Sequence, residues 1–256
     1  MNTKKFMPFD SISPNIITYR EYRKYPGLQG TGFFVIRPPY EYIFYVTARH
    51  SVENVIDESN NCCLQVPIFL DKQKAVPFSF CLGCNMDNNF YSEKEDIAVW
   101  VIDNAKLSIQ ESLWLKKRAL KLRDQITVKN LLTLGVKKKI RVKAIGFPIH
   151  NNPDGKTFID HEKQTMVLQP RGFHGILNND ELFPNQYIIT DTNWSGDSYN
   201  GFSGSPVIHL EYDFNGQVDR IPIGVIVRAG NKIARFVNIN KVTNLIENFI
   251  INTVSG

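Results

Sequence analysis

Short apolar runs of strand length recur along most of the chain, and glycine, proline, asparagine and aspartate separate them. Runs of this kind, rich in β-branched and aromatic residues, predict β-strands. The Asn215-Gly216 pair lies between two of them, and this dipeptide favours a tight hairpin turn. We therefore expect an all-β fold, with strands in GTGFFVI, YIFYVTA, DIAVWVI, KIRVKAIGF, YIITDT, SPVIHLEY, IPIGVIV and KIARFVNI.

Two stretches have helical rather than strand-like spacing. Residues 108–124, SIQESLWLKKRALKLRD, combine leucines with basic residues and predict a helix in the middle of the chain. Its apolar stripe consists of Leu113, Leu115, Leu120 and Leu122. Near the end, Asn240 precedes apolar residues at intervals of three and four, which predicts an N-capped amphipathic helix. Its apolar face consists of Val242, Leu245, Ile246, Phe249 and Ile250.

The first helical stretch divides the predicted strands into two groups. A chain of 256 residues suits one large domain or two small ones. The simplest architecture is two antiparallel β-barrels that form a single unit. Its parts are an N-terminal barrel in residues 1–104, a helical basic connector in 105–134, a C-terminal barrel in 135–239 and a C-terminal helix in 240–256.

The net charge of +5 is unevenly distributed along the chain. Residues 116–143 contain eleven lysines and arginines against one acidic residue, Asp124, so this segment carries +10 and the rest of the chain −5. Such a segment is typical of a solvated helix and strand face, and it could also bind nucleic acid or a regulatory protein partner. No aromatic residues are interleaved with the charges to stack on bases, which disfavours nucleic acid.

The chain has no apolar run of the roughly 18 residues that a membrane-spanning helix needs. The first residues lack the apolar segment of a secretory signal, so we expect a cytoplasmic protein without a membrane span. The spacing of the four cysteines is typical of neither a disulfide framework nor a zinc site. They are Cys62, Cys63, Cys81 and Cys84, and we expect reduced thiols and no metal.

The segment GFSGSP places glycines on both sides of Ser203. A serine hydroxyl becomes a nucleophile only with a base beside it, a group that orients the base, and N–H donors for the oxyanion. Glycines let the backbone bend tightly enough for neighbouring amides to point at one spot. We therefore predict an oxyanion hole formed by the backbone N–H groups of Gly201 and Ser203.

The positions of the histidines decide in which order along the chain the serine, the histidine and the acid of a triad can occur. The G-x-S-x-G elbow requires glycine where the chain has Ser205, and the histidine downstream is His209, only six residues on. The order His, Asp, Ser is available instead. His50 follows a predicted strand, and Asp96 opens the apolar run DIAVWVI.

Three motifs in this order carry a family resemblance: TARH at 47–50, DIA at 96–98 and GFSGSP at 201–206. The chain resembles the trypsin-like (chymotrypsin-fold) serine peptidases, in their compact intracellular and bacterial branch. Further matches are GTGFFV, IGFP, and GVIV with RFVN. The resemblance spans about residues 28–250. It implies a two-barrel fold, a protein or peptide substrate, no cofactor, and a triad of His50, Asp96 and Ser203.

The chain departs from the secreted branch of that family at two positions. Phe202 stands where the secreted enzymes have an aspartate that pairs with a new N-terminal ammonium, so no activation of that type is expected. Ser51 replaces a disulfide-forming cysteine, in agreement with a reducing compartment.

The resemblance also suggests a substrate pocket, formed by Asp197, Ala229 and Ala234. An aspartate at its base would favour cleavage after Arg or Lys. The surrounding loop is long, which leaves open that Asp197 is an exposed loop residue. Two other functions remain open: a catalytically silent chymotrypsin-fold binding module, and a basic protein that binds nucleic acid or a partner.

Overall fold

The apolar runs form strands in the structure of the protein, which is a computed structural model. It describes residues 11–19, 27–56, 62–68, 74–82, 96–149, 158–160, 165–183, 186–196 and 198–254. Within these ranges the protein is mostly β, with an open N-terminal sheet and a closed C-terminal barrel. The largest cluster of buried apolar side chains contains residues from both, among them Phe33 and Val46 of the sheet and Phe202 and Val207 near the barrel. The sheet and the barrel therefore share one core.

The N-terminal sheet has the strand order β4-β1-β2-β3-β6-β5. These strands are β1 (Ile12–Tyr19), β2 (Gly27–Ile36), β3 (Ile43–Ala48), β4 (Cys62–Gln65), β5 (Phe78–Leu82) and β6 (Ile97–Ile102). The predicted pairing of GTGFFVI with YIFYVTA is confirmed, since β2 and β3 are antiparallel with Gly32 opposite Thr47. In the described part of the chain β4 and β5 are not paired, so this sheet is open where a closed barrel was predicted.

The C-terminal barrel is closed in the order β11-β12-β15-β14-β13-β8. Its strands are β8 (Arg141–Gly146), β11 (Arg171–Asn179), β12 (Gln186–Thr190), β13 (Pro206–Tyr212), β14 (Val218–Gly230) and β15 (Ile233–Asn238). The strands β9 (Phe158–Asp160) and β10 (Thr165–Val167) pair separately. The predicted turn at Asn215-Gly216 joins β13 to β14, and Gly216 has the left-handed φ of 72° that glycine tolerates.

The predicted connector helix is interrupted. The chain forms α2 (Ile109–Arg118), then a two-residue strand β7 (Leu120–Lys121) parallel to β2, then α3 (Gln125–Lys138). A short helix α1 (Glu53–Ile56) precedes them in the N-terminal sheet region. Leu115, Leu120 and Leu122 are buried as expected, but Leu113 is 61% exposed. Leu113 and Leu115 lie two residues apart in α2, on opposite sides of the helix, so only one of them can face the core. The chain leaves the helix at Ala119, which is extended with φ −65° and ψ 137°.

The basic segment does not form one exposed face. Arg118 is buried, and its guanidinium donates to the carbonyls of Ile12 (2.8 Å) and Ile68 (2.9 Å). Two other cations of the segment form ion pairs with acidic residues of distant parts of the chain. These pairs are Lys116 with Glu41 and Arg123 with Asp219. Part of the positive charge therefore serves to hold the fold together.

The last helix, α4 (Asn240–Val254), follows the barrel and packs on the N-terminal sheet. Its predicted apolar face is confirmed by Val242, Ile246 and Ile250, which are buried. Phe249 makes edge-on ring contacts with three aromatic residues of the sheet region. They are Tyr42, Phe44 and Phe80. In addition, Glu247 forms an ion pair with Arg37 at 2.8 Å, so α4 ties the barrel to the sheet.

Candidate active site

His50 and Asp96 lie side by side because the strands that carry them are neighbours. β3 ends at Ala48, and His50 follows in a 3-10 turn, Arg49–Ser51. Asp96 directly precedes β6, which pairs with β3 so that Ala48 is opposite Ile97. The end of one strand and the start of the next therefore meet at the same edge of the sheet.

The Asp96 carboxylate contacts both the ring and the backbone of His50. Oδ2 lies 2.5 Å from Nδ1 of the ring, and Oδ1 accepts a hydrogen bond from the His50 backbone N–H at 2.9 Å. The Asp96 carbonyl accepts from Arg49 N–H at 3.1 Å. These contacts hold Asp96 at a φ of 40°, which is unusual for a residue other than glycine. They favour the tautomer with the proton on Nδ1, which leaves Nε2 as a base.

The loop that carries Ser203 requires both of its glycines. Gly201 has φ 97° and Gly204 has φ 84°, a region that other residues rarely adopt. A Cβ on Gly201 would lie 2.0 Å from the carbonyl oxygen of Phe147, and one on Gly204 would lie 2.0 Å from that of Thr31. The bends predicted from GFSGSP are therefore present, and close backbone packing fixes them.

The same loop leaves two backbone amides free beside Ser203. The Asn200 carbonyl accepts from Ile149 N–H at 2.9 Å, and the Phe202 carbonyl accepts from Ser205 N–H at 2.9 Å. In a planar trans peptide the N–H points opposite to the C=O, so the N–H groups of Gly201 and Ser203 point away from these acceptors. Among the described residues neither N–H has an acceptor, which leaves both able to bind an oxyanion.

Thr31 of β2 holds the loop that carries Ser203 against the N-terminal sheet. Its backbone N–H donates to the Ser203 carbonyl at 2.9 Å, and its hydroxyl donates to the Gly201 carbonyl at 2.7 Å. The same hydroxyl accepts from Phe147 N–H at 2.8 Å. Behind it, Thr47 donates to the Thr31 carbonyl at 2.7 Å. This buried network fixes the loop from a part of the chain remote in sequence.

Phe202, which directly precedes Ser203, lies in a cluster of aromatic side chains. Its side chain is fully buried and packs against three other aromatic rings. The ring centroids of Phe173 and Trp194 each lie 5.0 Å away in edge-on arrangements, and that of Tyr199 lies 6.3 Å away. This apolar cluster therefore supports the loop that carries Ser203.

His50, Asp96 and Ser203 line one open cleft of about 710 Å³. The rest of the cleft wall comes from the barrel and its loops, including Phe183, Gln186, Tyr199, Val227, Arg228 and Arg235. Within the described part of the chain, no hydrogen bond joins His50 to the hydroxyl of Ser203. Contacts of this kind are often long in a protein without substrate and shorten when substrate binds.

The three predicted pocket residues lie in different places. Ala229 lines the cleft, whereas Ala234 is fully buried in the core and does not. Asp197 lies outside the described residues. Two cleft residues that the sequence reasoning missed are Arg228 and Arg235, which are directly opposite each other on β14 and β15. In the sequence, the feature that marks them is that each arginine directly follows an apolar residue within its strand.

The described ranges show neither a cluster of metal ligands nor a membrane-spanning helix. They contain no group of three or more His, Cys, Asp and Glu side chains able to hold a metal ion. Cys63 lies on β4 and Cys81 on β5, both partly exposed, and Cys84 lies outside the described residues. None of the helices in these ranges has the length and apolar character needed to cross a bilayer.

In comparisons with known proteins, the chain matches no protein-family model and no curated protein sequence.

Proposed function

We propose that this protein is a serine endopeptidase of the two-barrel, chymotrypsin type, which hydrolyses peptide bonds through an acyl-enzyme. The observation that carries the proposal is the pairing of His50 Nδ1 with Asp96 Oδ2 at 2.5 Å on the same cleft as Ser203. The fold supports it in coarser terms, since one closed barrel and one open sheet meet at this cleft.

The proposed reaction begins with attack of Ser203 Oγ on the carbonyl carbon of the scissile bond. His50 Nε2 accepts the serine proton and returns it to the leaving amine, while Asp96 keeps the other ring nitrogen protonated and stabilises the imidazolium. The N–H groups of Gly201 and Ser203 stabilise the oxyanion. Water then hydrolyses the ester with His50 acting again as the base.

The edge of β14 beside Ser203 supports a peptide as the substrate. β14 pairs with β13 only as far as Val225, and Arg228, Ala229 and Gly230 pair only with β15. On the other side, this end of β14 has no neighbouring strand among the described residues. An extended peptide can add to such an edge through backbone hydrogen bonds, which would bring its chain past the nucleophile.

Labelling with a fluorophosphonate probe tests this proposal. We expect wild type to be labelled, and Ser203→Ala and His50→Ala to lose the label. Asp96→Asn should be labelled far more slowly, because it no longer enforces the required tautomer. Ser195→Ala is the matched control, since this serine is exposed on the preceding loop and should be labelled as wild type is. A folded wild-type protein that takes no label contradicts the proposal.

A catalytically silent binding module is the second candidate function. The observation that favours it is the missing hydrogen bond between His50 and Ser203 among the described residues. On this alternative, wild type and Ser203→Ala would bind the same peptides and neither would react with the probe. Both candidates bind peptides, so probe labelling of the peptide-binding wild type separates them: the peptidase takes the label and the binding module does not.

A further inference from the structure

Arg228 and Arg235 are a cross-strand pair of like charge on the wall of the cleft. They are directly opposite each other on β14 and β15, so their side chains leave the sheet on the same face. Directly opposed like charges destabilise a sheet. An anion close by, either from the protein or from a ligand, would offset this repulsion.

The protein supplies one of these anions. Arg235 Nε donates to Oδ2 of Asp180 at 2.7 Å, and the Asp180 side chain is only 3% exposed. The guanidinium carbon of Arg235 lies 5.9 Å from the centre of the Phe183 ring. These contacts fix Arg235 through one of its five N–H donors and leave the two terminal NH₂ groups available.

Arg228 has no such partner. Its side chain is exposed, and no carboxylate of the described residues forms an ion pair with it. Among the described residues that line the cleft, the one carboxylate belongs to Asp96, and it contacts His50. Counted together with the Asp180 carboxylate that binds Arg235, the two guanidinium groups leave this wall with a charge of +1 among the described residues.

We propose that this wall selects peptides with an Asp or Glu side chain next to the scissile bond; the proposal rests on the peptidase function proposed above. A guanidinium binds a carboxylate through two parallel hydrogen bonds, so Arg228, with Arg235 beside it, offers a specific site for such a side chain. The preference is opposite to the cleavage after Arg or Lys that Asp197 suggested. The difference arises because the sequence reasoning did not place the two arginines on the cleft.

Binding to Ser203→Ala tests the preference without requiring catalysis. The probes are fluorescein-labelled octapeptides of alanine and serine with a central Glu, Gln or Lys, followed by fluorescence polarisation. We expect the Glu peptide to bind about tenfold or more tightly than the Gln peptide, as is typical of one charge-assisted hydrogen-bonded pair. The preference should shrink as salt is raised, because salt screens the charges.

Substitutions of the cleft arginines identify the site. Arg228→Gln in the Ser203→Ala background should abolish most of the Glu preference, and Arg228→Glu should reverse it toward the Lys peptide. Arg235→Lys keeps a cation for Asp180 and should weaken the preference only in part. Lys232→Gln removes an equally exposed cation from the β14–β15 turn, outside the cleft lining, and should leave the preference unchanged.

Equal binding of the three peptides, or tighter binding of the Lys peptide, overturns the proposal. Loss of the preference in Lys232→Gln to the same degree as in Arg228→Gln also overturns it, since the effect would then follow net charge alone. Failure of the peptidase function shows separately, as a wild-type protein that takes no fluorophosphonate label. The binding result stands in that case as a property of the cleft.

Discussion

The hydroxyl of Thr31 donates a hydrogen bond to the carbonyl oxygen of Gly201 at 2.7 Å, across 170 positions of the sequence. Thr31 belongs to the N-terminal sheet and Gly201 to the loop that carries Ser203. Since the Thr31 hydroxyl also accepts from Phe147 N–H, it satisfies two buried backbone groups of the C-terminal half of the chain. The geometry of the loop that carries Ser203 therefore depends on the N-terminal sheet.

Replacement of Thr31 by valine should destabilise the protein and slow its reaction with a fluorophosphonate. The substitution leaves the Gly201 carbonyl and the Phe147 N–H buried without partners, at about 1–3 kcal/mol for each group. We expect the free energy of unfolding in urea to fall by about 2–6 kcal/mol. Thr31→Ser retains the hydroxyl and should restore both stability and labelling rate. Equal effects of valine and serine would show that the hydroxyl is unimportant.

Phe202 should be required for its apolar character. Phe202→Ala removes a ring that contacts Phe173 and Trp194, and loss of a buried aromatic side chain typically costs about 3–5 kcal/mol. Phe202→Asp should be worse still, because the carboxylate would enter an apolar cluster without a cation. Phe202→Leu is the conservative control. Thermal unfolding followed by circular dichroism gives the order, and an aspartate variant as stable as wild type would contradict this account.

Arg118 should contribute to stability although it lies in the basic segment. Its guanidinium donates to the carbonyls of Ile12 and Ile68 and lies over the Phe34 ring with its carbon 5.0 Å from the centroid. Arg118→Met should lower the free energy of unfolding by at least about 3 kcal/mol, because buried acceptors lose a charged donor. Lys121→Met removes an exposed charge from the same segment and should have little effect. Similar losses in the two variants would count against a structural role for Arg118.

The carboxylate of Glu111 should make stability depend on pH in the acidic range. Hydrogen bonds from Lys74 and Ser108 lower the pKa of Glu111 from 4.5 to about 2. A carboxyl group with a depressed folded-state pKa stabilises the protein above its unfolded pKa, and this contribution is lost as the pH falls toward the folded value. The stability difference between wild type and Glu111→Gln should therefore be constant above pH 5 and should close between about pH 4.5 and 2.

Unfolding in urea at a series of pH values measures that difference. Glu53→Gln serves as the control, since it replaces an exposed carboxylate at the start of α1. A difference between wild type and Glu111→Gln that is the same at pH 3 and pH 7 would contradict the prediction.

The features that could be predicted from the sequence are those set by local pattern. Alternating and continuous apolar runs predicted β2, β3, β6 and every strand of the barrel except β11, and the Asn215-Gly216 pair predicted its turn. The family resemblance of the motifs predicted that His50 and Asp96 lie together, and in the structure the pairing of β3 with β6 brings them side by side. In each case the residues concerned lie in a strand or directly beside one.

The features that could not be predicted depend on register and on distant partners. The pairing of β14 with β15 shifts between Ile226 and Arg228, and a shift of one residue turns side chains to the other face. For this reason the sequence did not show that Arg228 and Arg235 line the cleft and that Ala234 does not. Likewise, helix-forming residues near Ala119 leave the helix because Leu120 pairs with Val35, a contact outside any local window.

The dependence of the Ser203 loop on Thr31 has a consequence for the newly made chain. Synthesis runs from the N-terminus, so the residues that orient the base are made first and Ser203 last. The serine loop is held in shape only after it docks on a sheet that has already folded. On the proposed function, a nascent or partly folded chain would not hydrolyse other proteins. Peptidase activity would require the completed fold.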